Sequence, residues 1–355
     1  METISGTNCN IYFGTTGYET LASILLPSKY SKLFILVDEN TSQHCLPHFL
    51  SNLATEIEIE IIELEAGEIH KNSATCTEVW GALSELGADR KSILLNLGGG
   101  VISDLGGFVA CTFKRGIDFI NIPTTLLAMV DASVGGKNGV DLDNLKNQIG
   151  IIREPKAVLI DTHFLESLPQ NEMRSGLAEM LKHGLIHDAS YWNKFKNLKD
   201  LNTNHLEVLI HQSIQIKNEI VSMDLKEENI RKSLNFGHTL GHAIESYFLE
   251  ENSQITLLHG EAIAAGMILE SYLSKEKGLL SNDEYQEIKY IINDVFERVS
   301  FSNEAIQKII ELLDYDKKNE FGTIQFVLLE GIGKSIINQT IDNSLIYKAF
   351  DDYKM

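Results

Sequence analysis

Two kinds of hydrophobic spacing divide this chain. Up to about residue 160, short apolar runs rich in β-branched residues alternate with amphipathic stretches. The runs are Leu33–Val37, Ile57–Leu64, Ile93–Leu97, Phe119–Ile122 and Ala157–Ile160, and Ser73–Leu86 is one of the stretches between them. Continuous apolar runs of this length predict strands buried on both faces, and a helix after each predicts a mostly parallel sheet. Beyond about residue 163 the spacing becomes helical. Met173–Leu185, His205–Met223, Thr239–Leu249, Glu261–Lys275 and Glu284–Val295 place apolar residues on one face at three- and four-residue intervals. Ile324–Leu329 reads as a strand or extended segment. The change of period predicts an α/β domain with a parallel sheet over residues 1–160 and an all-helical domain over residues 161–355. No internal repeat is visible.

Composition narrows the class. The chain has 355 residues, 43% of them apolar, and only five prolines, which suits two folded domains. No apolar run is long enough for a membrane-spanning helix. Met1–Asn10 is polar and lacks the basic-then-apolar layout of a secretory leader, so a cytoplasmic location is expected. Cys9, Cys45, Cys76 and Cys111 form no CxxC pair and read as reduced thiols. The formal net charge of −20 argues against nucleic-acid or anionic-membrane partners, which need a positive surface. An anionic substrate would therefore need cations gathered locally.

Four groups of residues carry candidate chemistry. Leu97-Gly98-Gly99-Gly100-Val101-Ile102-Ser103-Asp104-Leu105-Gly106-Gly107 follows a strand and opens a helix. Glycines there let the backbone approach a pyrophosphate, and the helix start favours its charge; a tight strand-to-helix turn is the plainer reading. Ser103 stands at the third glycine position of the GxGxxG spelling. Asp38, at the end of a strand, suits ribose hydroxyls or a helix cap. The run Ser133-Val134-Gly135-Gly136-Lys137 offers backbone donors and a cation to a phosphate, with Asp131 and Lys146 nearby in sequence. His238 and His242 share a helix face, His259 opens another helix, and Glu179 lies between Ala178 and Met180 on an apolar stretch. One carboxylate with two histidines leaves a coordination position for substrate, and spacing alone leaves open which two histidines ligate. Arg115, Lys137, Lys146, Lys182, Lys217, Arg231 and Lys317 or Lys318 fall in or beside these segments.

Taken together, Ile122-Pro123-Thr124-Thr125 through Lys137, Gly176-Leu177-Ala178-Glu179-Met180-Leu181-Lys182, Leu234–His242, Leu258-His259-Gly260-Glu261 and Asp316-Lys317-Lys318 resemble the 3-dehydroquinate synthase family, in order and nearly end to end. The resemblance implies a Rossmann-like N-terminal domain, a helical C-terminal domain and an active site in the cleft. It implies a zinc or cobalt ion on Glu179, His238 and His259. It implies NAD near Asp38, Glu68, Lys71, Gly99, Gly100, Val101, Ile102, Ser103, Asp104, Thr124, Thr125, Lys137, Lys146, Phe164, Leu165, Glu166 and Ser167. Catalytic and substrate-contacting residues would be Arg115, Asp131, Lys137, Lys146, Asn147, Lys182, Lys217, Arg231, Asn235 and His242. Arg115, at the end of a Cys111–Arg115 helical segment, would reach across a homodimer. The implied reaction converts 3-deoxy-arabino-heptulosonate 7-phosphate to 3-dehydroquinate and phosphate. Three departures fall in one region: Asn138 where Thr or Ser is usual, Leu145 where Gly is usual, and Ile151-Ile152-Arg153-Glu154 in place of an aromatic-bearing segment. Rival readings are another sugar-phosphate cyclase, a metal-dependent NAD polyol dehydrogenase, and a binding protein without activity.

Overall fold

The structure, a computed structural model, describes residues 1–7, 9–142, 145–196, 203–250, 257–319 and 324–354. It divides into two compact units, the first comprising Met1–Pro169 with Lys217–Ser222, the second Gln170–Ile216 with Met223–Met355.

The first unit is built on a seven-stranded sheet. Its strands are β1 (Ile4–Ser5), β2 (Asn10–Phe13), β3 (Leu33–Asp38), β4 (Ile59–Leu64), β5 (Ile93–Gly98), β6 (Asp118–Pro123) and, after a separate antiparallel hairpin of β7 (Lys137–Leu142) and β8 (Leu145–Ile152), β9 (Ala157–Ile160). The order is β1-β2-β9-β6-β5-β3-β4, and every neighbouring pair is parallel except β1 with β2. The five expected strands are all present, with ends displaced by two residues at most. Strand β5 is buried along its whole length, and Leu94, Leu95 and Leu97 each contribute roughly 2 kcal/mol by leaving water. Asn96 interrupts that run. Its Nδ2 donates to Asn121 Oδ1 of β6 at 2.9 Å, which offsets part of the cost of burying the amide, while its Oδ1 accepts no hydrogen bond.

Helix Gly100–Thr112 packs tightly on this sheet. A Cβ on Gly106 would stand 2.1 Å from Asn96 Oδ1, and one on Gly107 would stand 1.9 Å from Asn138 Oδ1. The close helix–sheet approach therefore falls to Gly106, while Gly107 makes the same room for the hairpin strand β7, and Ser103 does not need to be glycine. Between β3 and β4 the chain steps to one side of the sheet, and β5 lies on the other side of β3. The C-terminal ends of β3 and β5, which carry Asp38 and Gly98, flank the reversal where open α/β sheets bind ligands.

The hairpin β7–β8 lies outside the expected strands. Asn138 holds its two arms, donating from Nδ2 to the carbonyls of Gly136 (2.9 Å) and Arg153 (2.8 Å). The departure at residue 138 thus serves packing, since a Thr or Ser hydroxyl has one proton and could not reach both. Arg115 ends a short 3₁₀ turn, Phe113–Arg115, and not the α-helix before it. The helix stops at Thr112, and Lys114, Arg115 and Gly116 take φ of 48°, 70° and 108°. Ile117 N returns to Ala110 O at 2.9 Å, which turns the chain straight into β6 and leaves Arg115 exposed.

The second unit is helix-rich, with one hairpin, β10 (Phe326–Leu329) and β11 (Ser335–Gln339), so it is not all-helical. Helix His259–Glu276 is buried on every side from Ala262 to Ser274, the signature of a central helix. Helix Gln170–His187 crosses its start at backbone contact: a Cβ on Gly260 would stand 2.3 Å from Ser175 Cα, and Gly260 N donates to Ser175 Oγ at 3.0 Å. Helix His238–Glu250 packs on the same central helix through Gly237, Gly241 and Gly266. Among the described residues no helix is long and apolar enough to cross a membrane.

Candidate active site

In the first unit, Gly99 caps helix Gly100–Thr112 without a side-chain hydrogen bond, so the first amides of the helix keep no local side-chain acceptor. Val101 is half-buried, and Ile102 is a core residue, so Ile102 could serve a cofactor only through its main chain. Ser103 Oγ donates to Gly100 O. Thr124 N donates to Gly98 O at 3.0 Å, and Thr125 Oγ1 accepts from Ala128 N, which brings both threonines beside the glycine turn. Asp38 caps its own helix by accepting from Thr41 N at 2.8 Å, which occupies Oδ1. Phe164 and Leu165 are buried, whereas Glu166 and Ser167 of the same short segment Thr162–Ser167 are exposed.

Glu68, Lys71, Asp104, Asp141 and Lys146 form one charged cluster. Lys71 Nζ lies 3.0 Å from Glu68 Oε1, 3.5 Å from Asp104 Oδ2 and 3.9 Å from Asp141 Oδ1; Lys146 Nζ lies 3.8 Å from Glu68 Oε1. Burial opposes the charge of Lys71, but Asp104, Glu68 and Asp141 outweigh it and hold the ammonium above its usual range. Burial pushes the Asp104 carboxyl up to about 7, with Lys71 pulling the other way. Asn147, at φ 54°, donates its N–H to Asp141 Oδ1 at 2.7 Å. Gly135 and Gly136 have φ of 106° and 66°, a turn that side-chain-bearing residues resist, and it delivers Lys137 to the surface. Asp131 sits in a π-helical turn, where buried Lys217 donates to its Oδ1 at 2.6 Å and to its carbonyl oxygen.

In the second unit Glu179 is fully buried in helix Gln170–His187. Its Oε2 is in contact with Lys182 Nζ, itself 1% exposed, and no hydrogen bond reaches its Oε1. His238 Nε2 stands 3.5 Å and His259 Nε2 3.9 Å from that oxygen. The opposite ring nitrogens are occupied: His238 Nδ1 lies 3.0 Å from Phe236 O, and His259 Nδ1 lies 3.4 Å from Glu245 Oε2. Such outer partners fix a histidine so that Nε2 presents its lone pair. Burial first, then the Lys182 ammonium, holds His238 well below the usual histidine range, which keeps it neutral and able to ligate. An orphaned buried carboxylate oxygen faced by two such nitrogens fits a divalent ion of zinc type. His242 is also close, with one ring nitrogen from each of His238, His242 and His259 lying within 4.8 Å of the others.

Arg231 and Asn235 belong to the short helix Ile230–Asn235 that leads to His238. Arg231 is buried and donates from Nη1 to Leu225 O at 2.7 Å. Asn235 Nδ2 donates to Glu227 Oε1 at 2.7 Å, and Glu227 holds φ at 61°. Lys317 and Lys318 fall in helix Asn303–Asn319, and their side chains lie outside the described residues. Glu227, Glu245 and Glu270 join this neighbourhood without having been expected. Glu245, seven residues after His238 and so on its helical face, could have been found from spacing; Glu227 and Glu270 depend on the tertiary fold.

The comparisons with known proteins agree across the chain. The family model described as 3-dehydroquinate synthase N-terminal matches residues 61–175, and the one described as 3-dehydroquinate synthase C-terminal matches residues 176–319. The chain is 42% identical over 337 residues to the 3-dehydroquinate synthase of Parabacteroides distasonis, covering 94% of each. It is 40% identical over 324 residues to that of Helicobacter pylori, covering 91% of this chain and 92% of the relative. Among solved structures it is similar to a 2-deoxy-scyllo-inosose synthase complexed with carbaglucose-6-phosphate, NAD+ and Co2+, with a TM-score of 0.85, 26% identity and 99% coverage of both chains. The chain belongs to the 3-dehydroquinate synthase family.

Proposed function

We propose that this chain converts 3-deoxy-arabino-heptulosonate 7-phosphate to 3-dehydroquinate and phosphate, with NAD as a recycled cofactor and a zinc or cobalt ion as a resident metal. The observation that carries the reading is the buried Glu179 oxygen faced by His238 and His259, in a chain that matches the family over both halves. When bound, NAD takes a hydride from a substrate alcohol and later returns it, while the ion acts as a Lewis acid toward that alcohol.

The chain's own residues bind, orient and move protons. Glu179, His238 and His259 would hold the ion, with Phe236 O and Glu245 fixing the two rings. The first amides of helix Gly100–Thr112, with Thr124 and Thr125 beside them, would meet the cofactor's pyrophosphate, and the Glu68–Lys71–Asp104 cluster borders the same helix. Lys137, Lys146 and Arg115 are assigned to the substrate phosphate, and its departure by β-elimination needs cations at the leaving oxygens. Arg231 and Lys217 are assigned to the carboxylate and ring hydroxyls. Lys217 reaches Asp131 in this structure and would exchange part of that contact for substrate. Asn147, Lys182 and Asn235 are assigned to substrate contacts, and His242, exposed beside His238, to proton transfer or phosphate binding. A homodimer in which the exposed Arg115 serves the neighbouring chain, and a cytoplasmic location, are parts of this proposal.

Because the reaction has no net change of oxidation state, NADH absorbance is expected to stay flat during steady turnover while phosphate accumulates. Build-up of NADH in proportion to substrate consumed would instead place the chain with the metal-dependent dehydrogenases.

A further inference from the structure

We infer that Glu270 is a positioning residue for the metal centre: its carboxylate holds the start of the His238 helix against the His259 helix, so that both histidines are set before an ion arrives. The inference rests on the metal reading above and concerns a residue outside its ligand set.

Glu270 lies on helix His259–Glu276 and is fully buried. Its Oε2 accepts from Gly237 N at 2.6 Å and its Oε1 from Leu240 N at 3.1 Å. Those amides sit on either side of His238 in the chain, at a helix start where the first N–H groups have no partner within the helix. The residue at the cap position is Gly237, which has φ of 76° and no side chain to supply one. The cap is therefore taken from the other histidine-bearing helix.

The choice is physically telling. A serine or aspartate at the cap position would reach only the Leu240 amide and not the cap residue's own N–H, and a Cβ there would stand 2.5 Å from Met267 Cγ. Burial pushes the Glu270 carboxyl up to about 8 even though the Gly237, Leu240 and Thr239 amides pull it down. What the buried acid adds is a tie between two helices. A Cβ on Gly266 would stand 2.0 Å from Gly237 O, so the helices touch backbone to backbone at this point. Phe236 O, the acceptor for His238 Nδ1, is the carbonyl of the peptide whose N–H Glu270 holds. One carboxylate thus fixes the helix start, the peptide that orients the ring, and the distance to the helix of His259.

The test compares the full-length unmodified chain with Glu270→Gln, which keeps the volume but replaces one acceptor oxygen by an NH2 group. Both are stripped of metal. Zinc and cobalt dissociation constants are then measured by competition with a chromophoric chelator, and melting temperatures are recorded for the metal-free forms. Glu270→Gln is expected to weaken metal binding at least about tenfold, the low end for groups that orient ligands. Affinity unchanged within about twofold would overturn the inference, including the case where only the melting temperature falls. Glu179→Gln, measured alongside, separates the two levels. If it binds metal normally, the metal reading itself fails; if it loses metal while Glu270→Gln does not, only the role of Glu270 fails. Amide exchange on the unmodified metal-free chain gives a reading even where the variant does not fold. Gly237 and Leu240 N–H are expected to exchange at least about a hundredfold more slowly than in an open loop. Open-loop exchange until metal is added would contradict a centre set in advance.

Discussion

Glu179→Gln is expected to reduce bound metal from about one ion per chain to near zero. The loss of turnover should be at least about a thousandfold, because Lewis-acid stabilisation is worth several kcal/mol and each ~1.4 kcal/mol is a factor of ten. A second effect must be kept apart from the first. Lys182 is 1% exposed and touches Glu179, so the substitution leaves a buried ammonium without its counter-charge. Breaking a buried pair in this way costs roughly 3–5 kcal/mol of stability. The double variant Glu179→Gln, Lys182→Met removes the stranded charge. It should recover much of the melting temperature while recovering neither metal nor turnover. Metal analysis, melting curves and phosphate release on the three proteins check this, and a double variant that regained activity would assign the loss to instability alone.

The second large effect concerns which sugar phosphate is used. NAD recycling and phosphate release alone do not tell one sugar phosphate from another; the difference lies at the anomeric end, where the heptulosonate carries a carboxylate and sedoheptulose 7-phosphate a neutral hydroxymethyl group. Arg231 is suited to that carboxylate. It is 2% exposed, its Nη1 is committed to Leu225 O, and its backbone N–H is fixed by Asp224 Oδ2 at 3.1 Å, which leaves the planar fork little freedom. Burial opposes the Asp224 charge, but the amides of Asn229, Glu228 and Arg231 hold that carboxyl below its usual range, so the loop is clamped at neutral pH. Losing a charge-assisted bond costs about 2–3 kcal/mol. The kcat/KM of the unmodified chain for the heptulosonate phosphate should therefore exceed that for sedoheptulose 7-phosphate by roughly a hundredfold. Arg231→Ala should narrow the gap by harming the acid more than the neutral sugar. A loss shared equally by both sugars would move Arg231 from the carboxylate to a common part of the ligand.

Much of the fold was legible because burial on two faces leaves a simple trace. Ile93–Leu97 and Ala157–Ile160 read as strands because every position in them faces protein. The hairpin β7–β8 left no such trace: β8 is largely exposed, and Gly139 and Gly150 pack backbone against backbone with no side chain to set an alternation. Helix Asn343–Lys354 does carry the helical spacing, with Ile346, Ala349, Phe350 and Tyr353 buried, yet it is absent from the expected elements. In the site, Glu179 stood out because an acid among apolar neighbours needs a reason to be buried. Glu270 is the same kind of residue, but its partners are main-chain amides of another helix, and nothing in residue spacing reveals those. Arg115 shows the opposite limit. Of the expected Cys111–Arg115 helical segment the α-helix covers only its start, and the rest is a 3₁₀ turn with Lys114 and Arg115 at positive φ before β6, which residue types alone do not reveal.

Closing a carbocycle with NAD returned at each turnover needs only a trace of NAD. The direct measurement supplies metal-loaded protein with excess heptulosonate phosphate and NAD at about a hundredth of the substrate, following phosphate and product together by NMR. Complete conversion to 3-dehydroquinate is expected, with one phosphate released per substrate. Conversion that stops when substrate consumed equals NAD supplied, or phosphate released without a carbocyclic product, would contradict it.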